Sequence, residues 1–247
     1  MNIGIYQSAA ALSALDQWQN AVAQNITSSS SSGFRQRVVS FGAALGGSWQ
    51  VGTSPDSAEN VQAVFPTATT AVSYQPGQTE RTGRDLDVAI QGNGFFQVRQ
   101  ADGTVAYTRN GQFNARADHM LVTQSGAEVL STSGGPITLL PSGESITIDS
   151  DGTIVQGQTT LGRLSVKSFA SDQTLVPTGD GMFVASDGST PAPVIKPDLL
   201  QGYREGSNVQ PMTEMVNLVT ISRAYEANQK VITSADERGQ KSVDALG

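Results

Sequence analysis

The chain has 247 residues, no cysteine, a single histidine (His119) and a net charge of -7. This excludes a disulfide framework, a thiolate zinc site, a thiol nucleophile and any site built on two histidines, and argues against nucleic-acid binding, which uses a basic patch. Charged residues make up 15%, against about 25% in an ordinary globular domain, and 26 glycines and 10 prolines promise many turns.

The ends differ from the middle. Residues 1–32 contain no proline, one glycine (Gly4) and one charged side chain, Asp16. Ile5, Leu12, Gln19 and Ile26 recur every seven residues, and Ser8, Leu15 and Val22 interleave with them. This is the spacing of a coiled-coil seam. The remaining surface is mostly Ala, Ser, Gln and Asn, with Trp18 the bulky exception. Such a surface suits a helix with several packing neighbours, since a lone surface helix carries charge opposite its apolar stripe. The Ser28–Ser32 run is expected to end the helix.

Residues 33–75 read as an extended connector. From 41 onward they are rich in Gly, Ser, Thr and Ala and show no clear period. Residues 76–207 read as a β-rich body. Leu86, Val88 and Ile90 alternate with Asp85, Asp87 and Gln91. Phe96 and Val98, Ile137 and Leu139, Ile146 and Ile148, and Leu164 and Val166 repeat the period of two expected of half-buried strands. Asp102-Gly103, Asn110-Gly111, Asp151-Gly152, Asp180-Gly181 and Asp187-Gly188 supply hairpin-turn pairs.

The second helix is expected from about 208 to 241. Pro211 suits its first turn, Asn208 or Gln210 its cap, and Glu214 the positive end of the macrodipole. Met215, Leu218, Ser222, Tyr225, Gln229 and Ile232 form a second seam, widened by Val216 and Val219. Two roles stay open for the helices: a hairpin closing onto one domain core, or packing between molecules. The polar seam positions Ser8, Gln19, Ser222 and Gln229 favour the second, because they specify partner and register at a cost in stability. The expected fold is α+β, with terminal helices pairing as a coiled-coil-like unit around a central, mainly antiparallel β-domain that folds by itself.

Catalytic and metal motifs are weak throughout. Gly92-Asn93-Gly94 begins a G-x-G, but Phe95 and Phe96 continue a strand instead of a dinucleotide fingerprint. Asp149-Ser150-Asp151-Gly152 lacks the closing Glu of a calcium loop. Asp85 and Asp87 sit two apart and read as a solvated strand face, and His119 as an exposed turn residue. Asn25-Ile26-Thr27 fits a glycosylation sequon inside an expected helix. No metal, cofactor or catalytic residue is assigned. No basic, apolar signal segment and no run long enough to span a membrane is present.

Three stretches resemble the axial proteins of the bacterial flagellar rod and hook. Asn25-Ile26-Thr27-Ser28 followed by Gly33-Phe34-Arg35 is similar to the N-terminal signature, with Thr27 and Ser28 departing from it. Thr82–Phe96, containing Gly83, Leu86, Asp87, Gly92, Gly94, Phe95 and Phe96, resembles the central motif and continues in Tyr107-Thr108-Arg109-Asn110-Gly111. His119 stands where a turn glycine is usual. Gln201–Val209, with Gly206, Ser207 and Asn208, then Glu214–Leu218 and Arg223–Asn228, with Glu226 and Asn228, resemble the C-terminal helix region.

The wording is most like the family's proximal rod members, then the distal rod and the larger hook proteins. The resemblance implies a non-enzymatic subunit of the periplasmic rod, exported without a cleaved signal through the flagellar export apparatus. It implies helical stacking on itself and on other rod and hook proteins, inside surrounding ring proteins, to carry torque from motor to hook. Ile5, Leu12, Leu15, Val22, Ile26, Met215, Leu218, Val219, Tyr225 and Ile232 are the expected subunit-interface seams. A β-domain acting on cell-wall glycan and a secreted adhesin or fibre subunit are the alternatives from other classes.

Overall fold

The computed structural model describes residues 3–51, 59–141, 143–170, 174–186 and 188–244. Terminal helices flank a β-rich region in which every strand pair described is antiparallel. The chain divides into two compact units. One contains the described residues of Met1–Thr27, Arg37–Val72 and Gln210–Gly247, the other those of Ser28–Gln36 and Ser73–Val209.

In the helical unit, α1 spans Ile3–Thr27 and α2 spans Pro211–Asp244. α1 includes Gly4 and stops just before the Ser28–Ser32 run, as expected, whereas α2 starts at Pro211 and runs on through Gly239 to Asp244, beyond the expected end at 241. The two helices pack against each other. The buried face of α1 is Ser8, Ala14, Leu15, Ala21, Val22 and Asn25, while Gln19 is exposed. On α2, Glu214 and Ile221 are fully buried, and Leu218, Tyr225 and Ile232 are half-buried. The expected caps differ in part. The Asn208 side chain bonds elsewhere, and that of Gln210 accepts a bond from Thr213 Oγ1 at 3.4 Å.

The connector expected over 33–75 is not merely extended. Arg37–Val51 (β1) and Glu59–Val72 (β2) pair as a long antiparallel ribbon, from Arg37↔Val72 to Val51↔Glu59, with a bulge between Leu45 and Ser48. A lone two-stranded ribbon is marginal in water, and this one packs on α1. Trp18 meets the Phe41 ring edge-on at 5.4 Å, and Gln7 Nε2 donates to the Val64 carbonyl at 3.1 Å. Several side chains on the ribbon stay exposed, including Val38, Phe41, Leu45 and Val64. The ribbon therefore lacks the alternation that marks a strand with one buried face.

The body centres on a large antiparallel sheet. Phe95–Arg99 pairs with Val105–Thr108, with Glu128–Val129 and with Val166–Ser168. Met182–Ala185 and Leu175–Gly179 extend one side, Leu121–Thr123 and Phe113–Ala115 the other. Val88, Ile90, Phe96, Val98, Phe113, Leu121, Ile137, Ile148, Ile154 and Leu164 fill one contiguous core, but the alternation expected over 85–91 fails, since Asp87 and Ala89 are buried beside Val88 and Ile90. Ile137 and Leu139 reach it from outside the named strands.

The turn pairs divide by role. Asp102-Gly103, Asp151-Gly152 and Asp180-Gly181 make hairpin turns with positive φ at each glycine, and at Asp180 as well. Asp187 lies outside the described residues. Asn110-Gly111 is different: Gly111 is buried, and a Cβ there would collide with the Val88 carbonyl. That glycine is needed for close approach and not for a turn. His119 adopts φ +66° in an exposed turn, the conformation in which a glycine is unstrained.

Candidate functional site

Among the described residues no group of three or more His, Cys, Asp or Glu side chains could hold a metal ion, and no helix is long and apolar enough to cross a membrane. The carboxylates considered for chemistry do not converge. Asp85 is exposed, whereas Asp87 is fully buried with Arg84 NH1 at 3.5 Å. The expected solvated pair on one strand face is therefore corrected: Asp87 closes a turn and points inward. Asp151 serves the hairpin turn, accepting from the Thr153 N–H at 3.0 Å, and this contact holds its carboxyl below the usual range. Asn25 is buried and bonded within its helical unit, so the sequon is not a surface site.

What the structure builds instead are contact surfaces and two polar locks. The expected interface seams divide between interior and surface. Leu15 and Val22 are buried, and Ile5, Leu12, Ile26, Leu218, Tyr225 and Ile232 are half-buried. Met215 and Val219 are exposed at 50% and 53%, and Met212 and Val216 lie beside them at 75% and 64%. The helical spacing places these four on one outward stripe of α2. Intramolecular packing thus uses a face rotated from the expected seam. Glu214 and Ile221, absent from that seam, form its buried centre.

The first lock lies in the helical unit. Asn25 Nδ2 donates to the Arg37 carbonyl at 2.8 Å and to Glu214 Oε1 at 3.0 Å, while Asn25 Oδ1 accepts from the Arg37 N–H at 2.8 Å. One buried amide thereby joins the end of α1, the start of β1 and the start of α2. Glu214 also accepts from Asn217 Nδ2 at 3.2 Å. A fully buried carboxylate is tolerable only when bonded in this way.

The second lock lies in the body and gathers the resemblance motifs. Asn208 Oδ1 accepts from the Gln36 N–H at 2.7 Å, and its Nδ2 donates to the carbonyls of Ser73 and Gln75 at 3.0 and 2.9 Å. On the same stretch, Glu205 is 2% exposed and faces two buried guanidiniums. Arg35 NH1 is 2.7 Å from Oε1, and Arg109 NH1 is 3.1 Å from Oε2. The Gly77 N–H donates to Oε1 at 3.0 Å. Arg109 also donates to the carbonyls of Ile90 and Gly92 and lies 5.3 Å over the Phe95 ring.

Residues 33–35, 92–95, 109 and 205–208 therefore meet at one buried ionic centre. Arg35, Arg109 and Glu205 lie within the resemblance motifs, but nothing in the sequence assigns them a role. Their only signal was charge, which does not identify a partner. Of the other motif residues, Gly83, Gly92 and Gly94 take positive φ, Phe95 and Phe96 are buried, and Leu86 is half-buried. Glu226 is exposed on α2, and Asn228 Nδ2 donates to the Ala224 carbonyl at 2.9 Å. Gly206 and Ser207 flank the lock, with Ser207 Oγ accepting from the Val209 N–H at 3.1 Å.

Known proteins match this sequence along most of the chain. Residues 89–156 match the flagellar hook protein FlgE/F/G D1 domain, and residues 200–245 the C-terminal domain of flagellar basal body rod FlgEFG proteins. The flagellar basal-body rod protein FlgF of Caulobacter vibrioides is 36% identical over 92% of this chain and 90% of its own. FlgG of Agrobacterium fabrum is 35% identical over 87% and 88%, and FlgF of Salmonella typhimurium 32% over 96% and 95%. With motifs that converge on one buried centre and relatives aligned nearly end to end, the chain belongs to the flagellar basal-body rod protein family.

Proposed function

We propose that the chain is a structural subunit of the flagellar basal-body rod that polymerises helically through its helical unit and carries torque from motor to hook. The observation that carries this reading is the outward stripe of Met212, Met215, Val216 and Val219 on α2. Contiguous exposed apolar side chains mark interaction surfaces. Covering the remaining exposed area of each contributes roughly 1 kcal/mol. Identical contacts that do not close on themselves generate a filament. The half-buried seam positions Ile5, Leu12, Ile26, Leu218, Tyr225 and Ile232 gain further burial in the same assembly, and there the helices complete a coiled-coil-like packing. The other partners in this reading are rod and hook axial proteins, the export apparatus and surrounding ring proteins, at a periplasmic location reached without a cleaved signal. Family membership supports a structural, non-enzymatic role. Relatives carrying the FlgF and FlgG names match at similar identity, and the chain length and the wording of the Arg84–Val88 stretch favour the proximal rod.

The test is Val219→Asp. The expected outcome is an isolated protein of unchanged stability, within about 0.5 kcal/mol for an exposed site, that fails to enter isolated basal bodies. Normal incorporation and motility of that variant refute the assignment of this stripe.

A further inference from the structure

Residues 28–36 belong to the body by contact but not by direct chain connection. At Thr27 the chain runs on into α1 and at Arg37 into β1, and both elements are part of the helical unit. Only non-covalent contacts hold this strap on Ser73–Val209.

Those contacts have the form of peptide recognition. Ser32, Phe34 and Arg35 are buried. The Gly33 N–H donates to the Glu205 carbonyl at 2.8 Å, and the Asn208 N–H donates to the Phe34 carbonyl at 3.4 Å. Gly33 has φ +68°, and a Cβ there would strike the Arg109–Asn110 peptide, so only glycine fits. Ser32 Oγ donates to Gln112 Oε1 at 2.7 Å. Arg35 supplies the cation for Glu205. Main chain, apolar side chain and charge are all read, as in grooves that bind extended peptides.

We infer that the groove formed by Arg109, Gln112, Glu205 and Asn208 is a peptide-binding site, and that it also takes the 28–36 strap of a second copy of this chain. Exchange replaces the contacts of Ser32, Gly33, Phe34 and Arg35 by their identical counterparts, and gives up those of Gln36 with Ser73 and Asn208, because Arg37 stays paired with Val72 of its own copy. The balance between own and foreign strap is then set by local concentration. The run Ser28–Ser32 leads from α1 into the strap with no bulky side chain to obstruct a rerouted path. Strap exchange adds a second way of joining subunits, and its evidence lies within the body alone, independent of the α2 stripe.

Because the chain has no cysteine, two introduced thiols report the exchange without background. One full-length copy carries Ser32→Cys and another Gln112→Cys, replacing groups 2.7 Å apart. The two are mixed over a concentration series and treated with a short bifunctional thiol reagent. A chain carrying both changes calibrates intramolecular linkage. The expected result is a covalent heterodimer that rises with concentration and falls at least about tenfold when Arg35→Glu is added to the Ser32→Cys copy. Excess synthetic peptide of residues 28–36 suppresses it as well, and the same peptide with Gly33→Val does not. The peptide arm holds even where Arg35→Glu impairs folding. No heterodimer under conditions that fully link the double-cysteine chain overturns the proposal. So does a heterodimer indifferent to both Arg35→Glu and the peptide. Neither outcome bears on basal-body incorporation, which the Val219→Asp variant reads separately.

Discussion

Glu205→Gln perturbs the ionic centre with minimal change of shape. In the native body the Glu205 carboxylate is the shared anion for Arg35 at 2.7 Å and Arg109 at 3.1 Å, with all three side chains at most 6% exposed. The amide keeps an acceptor for the Gly77 N–H but removes the charge. Breaking a buried ion pair by deleting one partner costs about 3–5 kcal/mol, because the surviving charge is left uncompensated. Two guanidiniums share this anion, so the upper part of that range is expected. For a body of this size a loss of about 4 kcal/mol lowers Tm by roughly 8–16 °C.

The loss should be local, and hydrogen exchange at the Phe95–Arg99 amides under increasing urea measures it. Both tryptophans, Trp18 and Trp49, fall in the sequence of the helical unit, so their fluorescence follows that unit as an internal control. Adding Arg35→Met to Glu205→Gln should recover part of the loss, since one stranded cation is then removed. A Glu205→Gln loss below about 1 kcal/mol, or a double variant less stable than the single one, refutes the reasoning.

Asn25→Ala removes the three hydrogen bonds of the other lock. At about 1 kcal/mol each, roughly 3 kcal/mol of helical-unit stability should go. Exchange at the Arg37 amide and the first turn of α2 reads this, and unchanged protection there counts against the lock. His119→Gly relieves a left-handed residue. It should stabilise the body by roughly 0.5–1 kcal/mol in urea denaturation, after the entropy cost of glycine is subtracted. Burial pushes the Tyr107 phenol above its ordinary value of 10.0. The neutral form is thus favoured in the fold, and its contribution is complete below that value and lost as pH rises through the raised one. An alkaline stability profile should fall above about pH 10, and Tyr107→Phe should flatten it.

The locks also define which fragment is expected to fold. A body cut at 76–207 lacks Arg35 and Asn208. The compact unit in the structure is Ser28–Gln36 with Ser73–Val209. The change of composition puts the body boundary at 76, whereas the ionic centre draws Ser28–Gln36 into the same unit.

Local chemistry determined much of this protein. Composition marked both helices, with the Ser28–Ser32 run following α1 and Pro211 opening α2, although α2 runs on through Gly239. Asp-Gly pairs marked three hairpin turns, and the period of two located core residues such as Phe96 and Val98. The resemblance motifs identified the family, including the glycine-like backbone at His119. Tertiary structure alone decided the rest. β1 and β2 leave exposed side chains on a ribbon without alternation, so their pairing has no sequence period. Glu214 reads as a helix-end acid until the Asn25 amide beside it makes burial possible. Arg109 and Glu205 stand 96 positions apart in the chain. A charged residue carries no mark of its partner in its own neighbourhood, because the low dielectric that makes the pair necessary exists only once the chain has folded around it.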